Sequence, residues 1–365
     1  MRINRNELNH AVDIVQKFAG RTTDVSYRFL TIQPMKDKTM FFGSDGFAYI
    51  WVLSDVQSDM PVIHVDLDSF GTLVKVFNKP DVELEVEDNQ LLMRTEQEEV
   101  KLQMKEEHDQ YFVEIPDEIN CYCNTSSFIH SLDIGSLCSD KDAADEIGIL
   151  SMIGNNSISF LASTGYTSSF SRVMADVKKN IAFAMNYHTA RHVLKALKKM
   201  KNKKSLQIRM DNNFIYIMCS DMGIMIKRYE TKDDVMKELK RRVDMIREGN
   251  QKIRNQENGI EINGVQLNIA IEQADQLERK AHGDSWLVAE EGKLFLNTAN
   301  SAYDKTFTIS DIPAHESFDF PIQAREIKSF IRRTLKDKYT IWNENNRLWI
   351  VPSDTEHALV LEKEE

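Results

Sequence analysis

The side chains with the greatest chemical potential in this chain are few and scattered. Cys121, Cys123 and His130 offer two thiolates and an imidazole, the donor types that hold zinc. Cys138 and Cys219 add no CxxC pair to them, so ordinary reduced thiols are the simpler reading and no metal is expected. Asp45, in Gly43-Ser44-Asp45-Gly46, has a carboxylate suited to acid–base work or to a cation. Between such small residues, however, an Asp is first a turn former. The sequence contains no Gly-rich phosphate loop, no GxSxG elbow and no HExxH pair. No catalytic residue and no cofactor are expected.

A different chemistry is better represented, that of clustered cations facing phosphates. The net charge of -11 by itself argues against a nucleic-acid binder. Its distribution argues the other way: residues 81–118 carry fourteen acidic and three basic side chains, whereas residues 188–204 carry seven Lys or Arg and no acid. A helix over His188 to Met200 puts Ala190, Val193, Leu194 and Leu197 on one face and Arg191, Lys195 and Lys198 on another. A helix over Gln323 to Leu335 repeats the design, with Ile327, Phe330, Ile331 and Leu335 inward and Arg325, Lys328 and Arg332 on a separate stripe. Lys-rich surface helices also serve solubility. Basicity sequestered within an acidic chain favours contact with a polyanion.

The elements that must position these stripes are repetitive. At 365 residues the chain suits two or three domains rather than one core. Short polar turns between strand-like runs recur at Asp37-Lys38, Asp88-Asn89, Asn155-Asn156, Asn212-Asn213, Glu291-Gly292 and Asn345-Asn346. Spacings within successive pairs are 51, 57 and 54 residues, against 67 and 79 between pairs. Three domains of two similar halves would give that alternation. Each half begins with a short strand and a stretch of helical period, then passes to period-two strands. Helices are expected over Glu7 to Ala19, Asp66 to Phe77, Ser126 to Cys138, His188 to Met200, Val265 to Ala281 and Gln323 to Leu335. The expected class is α+β, with domains over 1–120, 121–231 and 258–365. Residues 232–257 interrupt the repeat. Val235, Leu239, Val243 and Ile246 give that segment a narrow apolar stripe, and it reads as a solvated linker helix broken at Gly249.

The opening Asn4-Arg5-Asn6-Glu7-Leu8, through Ala11, Val12 and Val15 to Gly20-Arg21-Thr22-Thr23, resembles the bacterial replicative sliding clamp, the DNA polymerase III beta subunit family. Gly43-Ser44-Asp45-Gly46, echoed by Ser163-Thr164-Gly165-Tyr166 and Asn297-Thr298-Ala299-Asn300, and Tyr111 to Pro116 before the second domain, extend the resemblance over nearly the whole length. The family's Leu-Pro after Arg-Thr-Thr is missing, the 232–254 segment is foreign to it, and the tail Val360-Leu361-Glu362-Lys363-Glu364-Glu365 lacks the family's Met-Pro. The pattern is that of a divergent member, such as a phage or mobile element would encode.

The resemblance implies a head-to-tail homodimer whose six domains close into a ring, with helices lining the hole and sheets outside. It implies a DNA processivity factor, not an enzyme, that encircles double-stranded DNA without reading sequence and tethers a replicative DNA polymerase and a clamp loader through short linear peptides. DNA contacts would come from Arg21, Arg191, Lys195, Lys198, Lys280, Arg325, Lys328 and Arg332. The partner groove would be formed by Thr164, Gly165, Tyr166 and Thr167 with Leu359, Val360 and Leu361. A clamp-like scaffold or inhibitor with altered partner binding is the alternative. The N-terminus has no apolar signal core and the longest uncharged stretch, 147–171, alternates polar and apolar residues, so a cytoplasmic protein without a membrane span is expected.

Overall fold

The computed structural model describes residues 1–19, 28–46, 48–105, 115–139, 148–199, 205–228, 233–255, 259–313 and 316–363; side chains are not described at 233–235. Arg21, Gly20, Tyr111 to Glu114 and Asp140 to Glu146 lie outside the described residues.

One pattern, strand, helix and three strands, occurs six times. It runs first through β1 (Arg2–Asn4), α1 (Arg5–Ala19), β2 (Phe29–Pro34), β3 (Thr39–Ser44) and β4 (Ala48–Ser54). The second copy is β5 (Ile63–Asp66), α2 (Leu67–Val76), β6 (Asp81–Glu87), β7 (Gln90–Arg94) and β8 (Glu99–Gln103). The third is β9 (Cys121–Asn124), α3 (Thr125–Gly135), β10 (Ile149–Gly154), β11 (Ser157–Thr164) and β12 (Thr167–Val177). The fourth is β13 (Ile181–Met185), α4 (Tyr187–Lys198), β14 (Ser205–Met210), β15 (Phe214–Cys219) and β16 (Met222–Lys227). After α5 (Asp233–Arg254) come β17 (Ile260–Asn263), α6 (Gly264–Ala281), β18 (Asp284–Glu290), β19 (Lys293–Ala299) and β20 (Asp304–Asp311). The sixth copy is β21 (Phe318–Ile322), α7 (Ala324–Thr334), β22 (Lys338–Glu344), β23 (Arg347–Pro352) and β24 (His357–Glu362).

Local chemistry explains these boundaries. Asp66 caps α2 by accepting from Ser69 N at 2.8 Å, and Asn263 caps α6 by accepting from Val265 N and Gln266 N. The hairpin turns at Asp88-Asn89, Asn155-Asn156, Glu291-Gly292 and Asn345-Asn346 hold both residues at φ between 46° and 76°, the left-handed pair that matches strand twist. The turn at Asn212-Asn213 is built otherwise, with the Asp211 carboxylate accepting from Asn213 N and Phe214 N.

The chain forms two compact units. The first, Met1–Ser126 with Asp176–Asn180 and His188–Arg228, holds an antiparallel sheet β1-β6-β7-β8 and a longer one in the order β9-β14-β15-β16-β4-β3-β2-β5. Leu8, Ala11, Val12, Val15 and Phe18 of α1 are buried. The second unit holds β20-β19-β18-β21 and the eight strands β17-β22-β23-β24-β12-β11-β10-β13. In each long sheet two sets of four meet last strand to last strand, β16 on β4 and β24 on β12.

Residues alternate across the second unit's long sheet, as strands require. Ile341, Ile350, Leu359 and Leu361 enter a core shared with α6 and α7, while Trp342, Trp349, Val351, Ala358 and Val360 enter another shared with α5. The sequence reading of 232–257 is therefore corrected twice. Val243, Ile246 and Ile253 are buried against the sheet, so α5 is docked rather than solvated, each side chain contributing roughly 1.5 to 3 kcal/mol by transfer. Gly249 does not break the helix. A Cβ there would lie 2.5 Å from the Trp349 ring, so the glycine lets the helix backbone approach that indole.

Candidate functional site

In the first unit α4 buries Ala190, Val193, Leu194 and Leu197, which leaves its basic residues on the remaining surface. Lys198 is exposed, and Arg191 and Lys195 are half-buried. The helix is held beside α1, where Asp13 accepts from Lys17 and Lys199 at 2.9 Å each. Burial pushes the Asp13 carboxyl up, but the hydrogen bonds from Lys199 and Lys17 outweigh it and hold it below its usual range. A second tie is His192 on α4, whose Nδ1 lies 2.6 Å from Asp45 Oδ2. The other Asp45 oxygen accepts from Ala48 N at 2.8 Å, so this carboxylate both shapes the turn before β4 and anchors the helix. Sequence reasoning missed the role of His192, since nothing local signals a partner 147 residues away.

In the second unit α6 and α7 run antiparallel and cancel part of their charge between them. Asp275 is buried and accepts from Lys328 Nζ at 2.5 Å and Arg279 Nη2 at 2.7 Å. Burial raises this carboxyl, yet Lys328 and Arg279 together hold it below the usual carboxylate range. Arg332 Nη2 lies 2.6 Å from Glu272 Oε1. Lys280 and Arg325 are exposed. Glu278 accepts from Ala324 N at 3.0 Å at the start of α7, and burial pushes its carboxyl up.

The β11–β12 turn and the tail, almost two hundred residues apart, meet in one ladder. Thr167 pairs with Leu361, Ser168 with Val360 and Ser169 with Leu359, and Glu362 N donates to Tyr166 O at 2.7 Å. Thr164 and Thr167 flank the turn, Gly165 turns the chain at φ 42°, and Tyr166 stands 54% exposed. Leu359, Val360 and Leu361 have their side chains in the two cores rather than on the surface. The depression of about 450 Å³ beside Tyr166 is lined by Gly165, Asn345, Asn346, Arg347, Glu362 and Lys363 and is polar.

Cys121 and Cys123 are buried, and desolvation pushes the Cys121 thiol up to about 12 and Cys123 higher still, which suits inert thiols. His130 sits beside His357, ring centres 5.4 Å apart, and no cluster of three metal-ligating side chains occurs among the described residues. No helix among them is long and apolar enough to cross a membrane.

The folds of known proteins place this architecture. The DNA polymerase III beta chain of Streptococcus pneumoniae superposes with a TM-score of 0.83 at 13% identity, over 100% of this chain and 99% of that one. The beta subunit of Thermotoga maritima gives 0.81 at 12%, covering 100% and 98%. That of Pseudomonas aeruginosa gives 0.83 at 13%, covering 99% and 98%. No protein-family model and no curated protein matches the sequence. The chain therefore has the α+β fold of the DNA polymerase III beta subunit, the sliding-clamp fold, along its whole length.

Proposed function

We propose that this protein is a sliding clamp, a non-enzymatic processivity factor that encircles duplex DNA. The observation that carries the proposal is the fold match over the full chain, with all six strand-helix-strand copies in place. A clamp must hold DNA without bonding to particular bases, which calls for hydrated Lys and Arg on otherwise packed helices. Arg191, Lys195 and Lys198 on α4, with Lys280, Arg325 and Arg332 on α6 and α7, have that character. Lys328 contributes through a compensated pair, and Arg21 completes the set.

The functional form is a head-to-tail homodimer of three-domain chains. Four of the six last strands, β4, β16, β12 and β24, are paired with one another, whereas among the described residues β8 and β20 end their sheets. Edge strands of this length ordinarily need a partner, and β8 of one copy against β20 of another supplies it. Polymerase and clamp loader would be tethered by short peptides near Tyr166, whose polar depression suits a peptide with charged groups as well as an apolar anchor.

A second reading, a clamp-like scaffold or inhibitor with altered partner binding, is favoured by two observations: α5 covers a face of the β12·β24 sheet, and the tail's apolar residues are buried. Loading the protein on nicked circular DNA and then linearising the DNA separates the two from any non-clamp role. A clamp is retained on the circle and lost from the linear form; equal retention on both overturns encirclement. Stimulated synthesis by the cognate polymerase then separates processivity factor from scaffold.

A further inference from the structure

Among the described residues, the one element outside the sixfold pattern covers a surface that the pattern itself completes. The long sheet of the second unit already has a core on its other face, with α6 and α7, and its strands close their ladders without α5. On the face beneath α5 stand Trp342 and Trp349, with Phe170, Val351 and Val360. These residues come from both sides of the β12·β24 seam, so α5 lies across that seam.

The helix is attached in a manner unlike a core element. Of its twenty-two residues, only Val243, Ile246 and Ile253 among the described apolar side chains are fully buried. Met236, Leu239 and Met245 pack partly buried against the same cluster, and the rest of the attachment is polar: Arg242 reaches Ser163 Oγ at 2.8 Å, Arg247 reaches Ser159 Oγ at 2.9 Å, and Arg254 reaches Thr355 Oγ1 at 2.8 Å and Glu356. Neutral hydroxyls are weak receptors for a guanidinium taken out of water. Burial, with Asp244 working against it and Arg172 with it, lowers the Arg247 pKa, the mark of a charge held at a desolvation cost. Two buried polar atoms in this contact, Trp349 Nε1 and Asn250 Oδ1, have no hydrogen-bond partner among the described residues. An unmade hydrogen bond in a dry contact weakens the docked state relative to the released one.

We infer that α5 is a releasable strap: it opens as a unit from the β12·β24 sheet face, and the uncovered two-tryptophan surface receives a partner's amphipathic helix of like chemistry. The occupant follows from what seats α5 now. It would carry apolar residues at the spacing of Val243, Ile246 and Ile253, a small residue at the place of Gly249, and Arg toward Ser159, Ser163 and Glu356. This inference does not depend on DNA being encircled.

The test uses the full chain, and its first arm needs no variant. Hydrogen exchange followed by mass spectrometry is expected to show amides of 236–254 exchanging at least 100-fold faster than those of 347–351 and 358–361, through a local opening. Exchange of both segments at one common rate, set by global unfolding, overturns the inference. The second arm uses Gly249→Ala, which improves helix propensity while placing a methyl group against Trp349. Tryptophan emission of this variant is expected to shift to the red and become more open to acrylamide quenching. A synthetic peptide of residues 236–254, added as the probe, is expected to reverse both changes in the variant. A variant that melts as cooperatively as the parent but keeps the parental emission, or one whose emission the peptide does not restore, overturns the strap.

Discussion

Lys328 lies on the basic stripe of α7 expected to face phosphate, and a buried carboxylate, Asp275, accepts from it at 2.5 Å. Its side chain is 14% exposed and that of Asp275 3%, so the two charges are worth more to the fold than to a ligand. Lys328→Ala leaves Asp275 with Arg279 alone and is expected to cost about 2 to 4 kcal/mol, measured by urea unfolding. Lys328→Met with Asp275→Asn should recover most of that loss; a double variant as unstable as the single one would show that packing, not charge, was removed. His357 gives a second residue-scale expectation. Its Nδ1 lies 2.8 Å from Ser171 Oγ, and burial lowers its pKa to about 4, Asp354 and Glu356 working against that and His130 and Lys336 with it. The unfolded chain titrates near 6.5 and so binds more protons than the folded one between those values, which makes stability rise with pH. From pH 8 to pH 5 the protein should lose about 2 kcal/mol through this group. His357→Gln is expected to flatten that part of the profile, and an unchanged slope would assign it to other groups. The helical stripe that exposed Lys328 to view was legible from spacing. Asp275, fifty-three residues away, was not, because an ion pair across two helices leaves no local period.

At the scale of elements, the amphipathic design of α4 survives as read, with its four apolar residues buried. Arg191→Glu with Lys195→Glu and Lys198→Glu should weaken DNA binding and, if each meets one phosphate, reduce the slope of log K against log salt by about 3. Parental binding and slope would remove α4 from the interface. Helices were legible wherever apolar residues kept a period of 3.6, but two ends were overrun: α3 stops at Gly135 rather than Cys138, and Leu335, expected inward on α7, is its exposed C-cap. A Cβ at Gly135 would strike Phe160. For α5 the same stripe was visible, but its partner was not. Trp342 and Trp349 look like ordinary strand residues until β22 and β23 are paired and both indoles are seen on one face.

For the molecule as a whole, six turn signals in the sequence correspond to six hairpins, and four of them have the left-handed residue pairs that Asn, Asp and Gly permit. The pairing of last strands was not readable, because edges are chosen by tertiary contact rather than by composition. Proline placed singly along Lys305 to Ile309 of β20 tests the edge proposed for the dimer. Alternate positions donate outward, so every second substitution should abolish dimerisation in sedimentation while the others leave it intact. A dimer indifferent to all of them would lie elsewhere.

The two edges proposed for the joint are also unlike one another: β8 reads Glu-Val-Lys-Leu-Gln, whereas β20 is eight residues long and carries Lys305 over the Phe307 ring at 4.8 Å. A joint between them is heterologous, so joining two copies at one place still leaves one edge of each kind open. Only closure removes both; failing that, each added copy renews the end, and growth continues as a filament. If the proposed dimer forms, anything that springs the joint, such as dilution, a bound ligand or a damaged strand, would create a species with two sticky termini of opposite kind. The safety of such a protein at high concentration rests on how fast an opened pair finds its own second edge before meeting a third copy.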